Sequence, residues 1–186
     1  MAKKAKVLLT QPSLIGKKIY LRPRTHDDAI NAYFWFLQSE PQSQSCHPLS
    51  FMTPTEASEK AKKVEKSPNQ QRFAIVRIDN NVHVGEISFY NLNNLNRSAE
   101  LGILIDPDEQ KEGFGKEAMR ILIKYLFHYR GLNKVYGETA EFNNPAVKLL
   151  ESLHFHQDGV LRKHHFYNNE YYDKLVYSLL HHEFSD

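Results

Sequence analysis

Disulfides, membrane spans and a basic nucleic-acid face are all missing from this sequence. Its single cysteine, Cys46, cannot form an internal disulfide, and no apolar h-region follows Met1, so a reducing, cytoplasmic setting is expected. No apolar run approaches the roughly 20 residues that would span a bilayer, and no membrane partner is expected. Lys and Arg number 24 against 22 Asp and Glu, a formal net charge of +2 that makes no footprint for nucleic acid. The basic stretches "AKKAK" near Met1 and "KKVEK" at 62–66 read as solvated tail and helix surface. Internal repeats and low-complexity linkers are absent too. The 186 residues are 41% hydrophobic and 25% charged, which fits one ordinary domain over 1–186 with its core at about 17–182.

What is there falls into short, well-punctuated elements. "KIYLRP" alternates as a strand, and Thr25 with Asp28 forms a capping-box pattern ahead of Ala29, Ala32, Tyr33, Phe36 and Leu37. Thr53, Pro54 and Glu56 signal a second, more polar helix. "RFAIVRI", "VHVGEISFY" and "SAELGILI" are β-rich runs separated by "DNN" and "NLNNLNR", an antiparallel meander. After Gly115 the apolar residues from Ala118 to Tyr129 keep the 3.6-residue period, with Gly131 as the C-cap candidate. "KVYGETA" reads as a strand, "NPAVKLLESL" as a short helix, and "GVLRKHHFY" with "YYDKLVYSLL" as a closing hairpin. The sum is an α+β domain around a mixed central sheet of about seven strands, with helices on both faces.

The junction "DPDEQKEGFGKEA" at 106–118 is the chemically suggestive stretch. A strand ends before it and a helix begins inside it, so the helix's first N–H groups face the loop without intrahelical partners. Gly113 and Gly115 remove β-carbons that would hold a ligand away, and the helix dipole favours an anion such as a pyrophosphate. A P-loop is excluded because Glu117 follows Lys116 and no glycine stands five residues before Gly115. The dinucleotide fingerprint is present in letters as Gly113, Gly115 and Ala118, with Glu138 near a ribose-binding position. Yet residues 107–112 separate the strand from the first glycine, and the chain ends in a hairpin where further βα units are required.

Gln110, Gly113 and Gly115 instead form Q-x-x-G-x-G after a strand and before an amphipathic helix, which resembles the acetyl-coenzyme A loop of the GNAT superfamily of N-acetyltransferases. "YLRPRTHDDA" resembles the opening strand of its ribosomal-protein N-terminal acetyltransferase branch, and "AELGILIDPDEQKEGFGKEA", "NNPAVKLLESLHF" and "NNEYYDKLVYSLL" are similar to later segments in the right order. Polyamine and amino-sugar acetyltransferases are similar as well. The likeness covers most of 19–180.

The resemblance implies acetyl-CoA as acyl donor, its pyrophosphate on the backbone of Gln110, Lys111, Gly113, Phe114, Gly115 and Lys116. It implies a pantetheine arm along the free edge of Ile103, Leu104 and Ile105, in a slot between "GILI" and "VYGET". Transfer to an amine needs a neutral nucleophile, so a proton acceptor is useful at neutral pH. Glu100 is the catalytic candidate for it, with a structural strand carboxylate as the competing reading. Asn143, at the head of the last helix, is the second, as a contact to cofactor or water, with simple capping as its competitor and Asn144 as an alternative cap. Glu138 and Trp35 are candidates for the acceptor site, with surface ion pairing and core or half-buried packing as their respective competing readings.

Where relatives often carry a serine or tyrosine to protonate the leaving thiolate, this chain has Ala146 and Leu150, and His154 replaces the glycine of a common "LGF" turn. The expected acceptor is a small-molecule or peptide amine: a protein N-terminus, polyamine, amino sugar or aminoacyl compound. The expected state is a monomer or homodimer. A catalytically weak acyl-CoA sensor or interaction module is the alternative. The adjacent pairs His164–His165 and His181–His182 point to opposite faces of a strand, and no metal is expected.

Overall fold

Residues 14–38, 52–65 and 67–185 are described by a computed structural model. Cys46 and the stretch near Met1 lie outside them, as do the side chains of "KKVEK". The elements run β1 (Ile19–Pro23), α1 (His26–Gln38), α2 (Pro54–Glu65), β2 (Gln71–Arg77), β3 (His83–Asn93), β4 (Ser98–Ile105), α3 (Phe114–Lys124), β5 (Lys134–Ala140), α4 (Asn144–Ser152), β6 (His156–Tyr167) and β7 (Glu170–Leu180). That is the order expected from the sequence. One seven-stranded sheet, β1-β2-β3-β4-β5-β7-β6, is antiparallel everywhere except between β4 and β5.

Both helix starts form where the local chemistry places them. Thr25 N–H donates to Asp28 Oδ2 at 2.7 Å while Asp28 N–H donates to Thr25 Oγ1 at 3.3 Å. Thr53 and Glu56 repeat this reciprocal pair at 2.7 and 3.3 Å. Each pair satisfies two main-chain donors that the first helical turn leaves over. Asp28 is buried and also accepts from both terminal nitrogens of Arg22 on β1, which locks the strand to the helix that follows it.

Strand alternation sorts the sheet into two faces. Leu21, Phe73, Ile75, Ile87, Phe89 and Leu101 pack with Ala118, Met119 and Leu122 of α3 and Leu150 of α4 in the main core. The opposite face carries Arg22, Arg72, Glu86 and Tyr90, and α1 lies across β3 and β4 there. Arg24 and Arg72 both donate to Glu86, at 2.7 and 2.6 Å.

Two elements depart from a regular reading. The helix expected to run to Tyr129 is α-helical only to Lys124 and widens into a π turn, Tyr125–Tyr129, where Arg130 N–H reaches Tyr125 O at 3.2 Å. The extra residue keeps adjacent Leu126 and Phe127 both in the core. His154 takes φ +62° after α4, so the turn keeps left-handed geometry without a glycine. At the sheet's far edge, β6 is interrupted by two register breaks and leaves Val160, Leu161 and Phe166 exposed.

Burial by itself pushes the Asp28 carboxyl up, but its hydrogen bonds from Arg22 and Thr25 outweigh that and hold it well below the ordinary 3.8. A depressed folded-state pKa contributes stability above the unfolded value, and that contribution fades as pH falls below it. Asp28→Asn is expected to cost about 3 kcal/mol in urea unfolding at pH 7. Its deficit against the wild type should shrink below pH 3.8, and a constant deficit would contradict the ion pair's role.

Candidate functional site

The parallel ladder between β4 and β5 consists of Ser98↔Lys134, Ala99↔Val135 and Glu100↔Tyr136 and ends there. On its outer side β4 stays paired with β3 up to Gly85↔Ile105, and β5 stays paired with β7 to Ala140↔Lys174. The strands therefore diverge into a wedge whose inner edges, 101–105 and 137–140, carry no ladder between them. Unpaired strand edges offer N–H donors and C=O acceptors to any extended chain laid beside them. Ile103, Leu104 and Ile105 lie on one such edge.

At the wide end of the wedge the chain turns from β4 into α3. Asp106 N–H is held by Val84 O at 3.0 Å, Asp106 Oδ1 accepts from Asp108 N–H at 3.1 Å, and Gln110 Nε2 donates back to Ile105 O at 3.5 Å. Lys111 and Gly113 take φ of +68° and +85°, which curls the backbone in front of the helix. The α3 ladder starts with Glu117 N–H donating to Gly113 O at 3.1 Å, and no side chain caps Gly113. The preceding N–H groups are left without intrahelical acceptors.

A β-carbon built on Gly113 meets no atom within 4 Å, so the surface is open on that side of the residue. One built on Gly115 lies 3.6 Å from Ile105 Cγ1 and 3.7 Å from Ile103 Cδ1, which seats the helix start directly over the end of β4. Lys111 and Lys116 are exposed beside the opening, and Phe114 is buried with the Arg77 guanidinium 5.6 Å above its ring. Backbone donors, a helix dipole and flanking lysines together suit an anionic diphosphate.

The narrow end holds Glu100, buried on the polar face. Tyr90 Oη donates to its Oε1 at 3.0 Å and Asn91 Nδ2 to its Oε2 at 2.8 Å. Burial, followed by the charge of Glu100, pushes the Tyr90 phenol well up. Tyr136 is raised by burial and by both Glu100 and Glu138, which brings these two carboxylates into one electrostatic neighbourhood. Glu138 itself is ion-paired to Lys174 at 2.8 Å. Tyr90 sits close to Gly102, where a β-carbon would come within 3.1 Å of Tyr90 Cε1 and 3.3 Å of Ser88 Oγ.

Asn143 is itself the α4 cap, its Oδ1 accepting from Ala146 N–H at 3.3 Å, while Asn144 is the first helical residue. That bond occupies only its carbonyl oxygen. Trp35 is buried and lies 4.7 Å ring to ring from His83, which stands seven residues or roughly 23 Å of strand from Tyr90. Sequence reading missed Tyr90 and Asn91, although the alternation of "EISFY" already places Glu86, Ser88 and Tyr90 on one face.

A family model for the acetyltransferase (GNAT) domain matches residues 18–156. The chain belongs to that family. Among curated relatives, the N-acetyltransferase YoaA of Bacillus subtilis is 32% identical over 59% of this chain and 62% of its own length. The spermidine N(1)-acetyltransferase of Vibrio cholerae is 32% identical over 59% of this chain and 64% of its own. The matched stretch thus spans under two thirds of either relative. In fold, the chain is similar to the crystal structure of a Vibrio cholerae spermidine N-acetyltransferase in complex with CoA and spermine, with a TM-score of 0.80, 24% identity, and coverage of 90% of this chain and 98% of that one. Among the described residues no three His, Cys, Asp or Glu side chains converge as metal ligands, and no helix is long and apolar enough to cross a membrane.

Gly102→Ala tests the Glu100 cradle. The added methyl should displace Tyr90, lower its phenol pKa and destabilise the fold by about 1–3 kcal/mol. A phenol titration unchanged from the wild type would show that Gly102 does not hold Tyr90 in place.

Proposed function

We propose that this chain is an acetyl-CoA-dependent N-acetyltransferase that acts on a small primary amine by direct attack on the thioester carbonyl. The observation that carries the reading is the wedge, with uncapped helix donors at its wide end and a buried carboxylate at its narrow end. The five residue steps from Glu100 to Ile105 span roughly 17 Å, room for an extended arm between an anchored diphosphate and a reacting group. The bound thioester would supply an activated acetyl carbonyl.

This chain's residues do the rest. Main-chain N–H groups within 110–116 hold the diphosphate, the edge of 103–105 orients the arm, and the Asn143 amide nitrogen is a further donor near α4. Glu100 attracts the cationic amine and takes its proton, directly or through water, so that a neutral nucleophile is presented. Tyr90 and Asn91 keep that carboxylate fixed while the amine arrives. Glu138 lies on the same face of β5 as Tyr136, its charge compensated by Lys174. The spermidine N(1)-acetyltransferase among the relatives supports a cationic small amine such as a polyamine as the first acceptor class to test. A cytoplasmic monomer or homodimer fits this activity.

Calorimetric titration with acetyl-CoA, followed by thiol release on a panel of amines, tests the proposal. Binding with turnover is expected. Glu100→Gln should then lose roughly 10²–10⁴-fold in kcat/KM with little change in acetyl-CoA affinity. Absence of acetyl-CoA binding to the wild type would defeat the reading, whereas binding without turnover on any amine would point to an acyl-CoA sensor.

A further inference from the structure

Thr139 is 3% exposed, and its hydroxyl is buried with no hydrogen-bond partner among the described residues. Buried polar atoms are almost always partnered, so an orphan calls for a specific explanation. Other hydroxyls near the wedge are engaged: Tyr90 on Glu100, Ser88 on Gly102 O at 3.4 Å, and Ser178 on Asp158 at 2.7 Å.

Position supplies the explanation. Thr139 pairs with Leu175 on the β7 side, but lies beyond the last β4 pair, in the part of β5 that borders the wedge. Alternation puts it on the same face as Val135 and Gly137. A β-carbon on Gly137 would sit 3.9 Å from Leu150 of α4, so this is the face that α4 covers. Ala146 is one turn before Leu150, and Asn143, the cap of α4, follows Thr139 by four residues in the chain. Thr139 is three residues past Tyr136, roughly 10 Å along the strand from the Glu100 level and about level with Ile103. It is therefore too far up the wedge to serve the reacting carbonyl and is well placed for the middle of an extended arm.

We infer that Thr139 is a positioning residue whose hydroxyl donates a hydrogen bond to an amide carbonyl of the acyl donor's arm. The inference rests on the acetyl-CoA reading above. The free protein carries an unpartnered donor at the wedge, and the arm brings the acceptor that satisfies it. No covalent bond is made or broken at this residue, so its effect falls on affinity and KM and leaves kcat largely unchanged.

Thr139→Val keeps the shape and removes the hydroxyl, while Thr139→Ser keeps the hydroxyl. Thermal unfolding of the free proteins and calorimetry with acetyl-CoA and CoA read the two effects separately. Valine is expected to leave the free-state Tm unchanged or raised, to weaken acetyl-CoA binding about tenfold, and to raise KM with kcat retained, the signature of a lost ligand hydrogen bond. Serine should bind like the wild type. The inference is overturned if valine binds as tightly as the wild type, or lowers the free-state Tm without touching affinity, as it would if the hydroxyl served the fold alone. If the wild type binds no acetyl-CoA, the acetyltransferase reading fails first and this inference with it.

Discussion

Three residue pairs hold β4 to β5, and the ladder ends at Glu100↔Tyr136. Most of the candidate chemistry follows from that early stop. A parallel pair needs a crossover, and here the crossover helix α3 starts above the end of β4, which aims its uncapped donors at the mouth of the gap. The same divergence leaves one edge of 101–105 open while β3 holds the other edge rigid. Flexible loops are not required to build this site, because the scaffold strands themselves form its walls.

Charge on the polar face is divided in a way that fits the same geometry. Asp28 faces Arg22, and Glu86 is held between Arg24 and Arg72, so these carboxylates are compensated and knit β1, β2 and β3 to the first helix. Glu100 is different. Its hydrogen bonds come from a phenol and a carboxamide, which fix its orientation without cancelling its charge. Among the described residues it has no cationic partner. A buried anion kept in place by neutral donors is suited to meet an incoming ammonium group, and a structural ion pair is not.

The sequence was most legible where the determinants are local. Thr25 with Asp28, and Thr53 with Glu56, announce helix starts within four residues, and Gly113 with Gly115 announces a close backbone approach. Element order and the α+β sheet followed from periodicity together with cap and turn signals. Less legible were features set by register across distant strands. Tyr90 meets Glu100 only because the Asn-rich turn and its register break bring those two positions opposite each other. Asn143 and Asn144 were indistinguishable as caps until the backbone chose. Asp28, Ala32 and Trp35 fall on one buried stripe of α1, a spacing that already turns the indole inward. Thr139 gave no signal at all, since an orphaned hydroxyl can be recognised only when its surroundings are known.

The outermost strand has a consequence of another kind. β6 runs twelve residues along a sheet margin, with apolar side chains at Val160, Leu161 and Phe166 turned to solvent. Such a margin is a template on which a stray polypeptide can add itself, the first step toward fibrous or amorphous self-association. The interruptions at Gln157/Gly159 and Leu161/His165 break the margin into short lengths, and the basic "RKHH" segment lies across the second one. These irregularities act as guards on colloidal behaviour, and straightening them would trade a neater strand for a stickier protein.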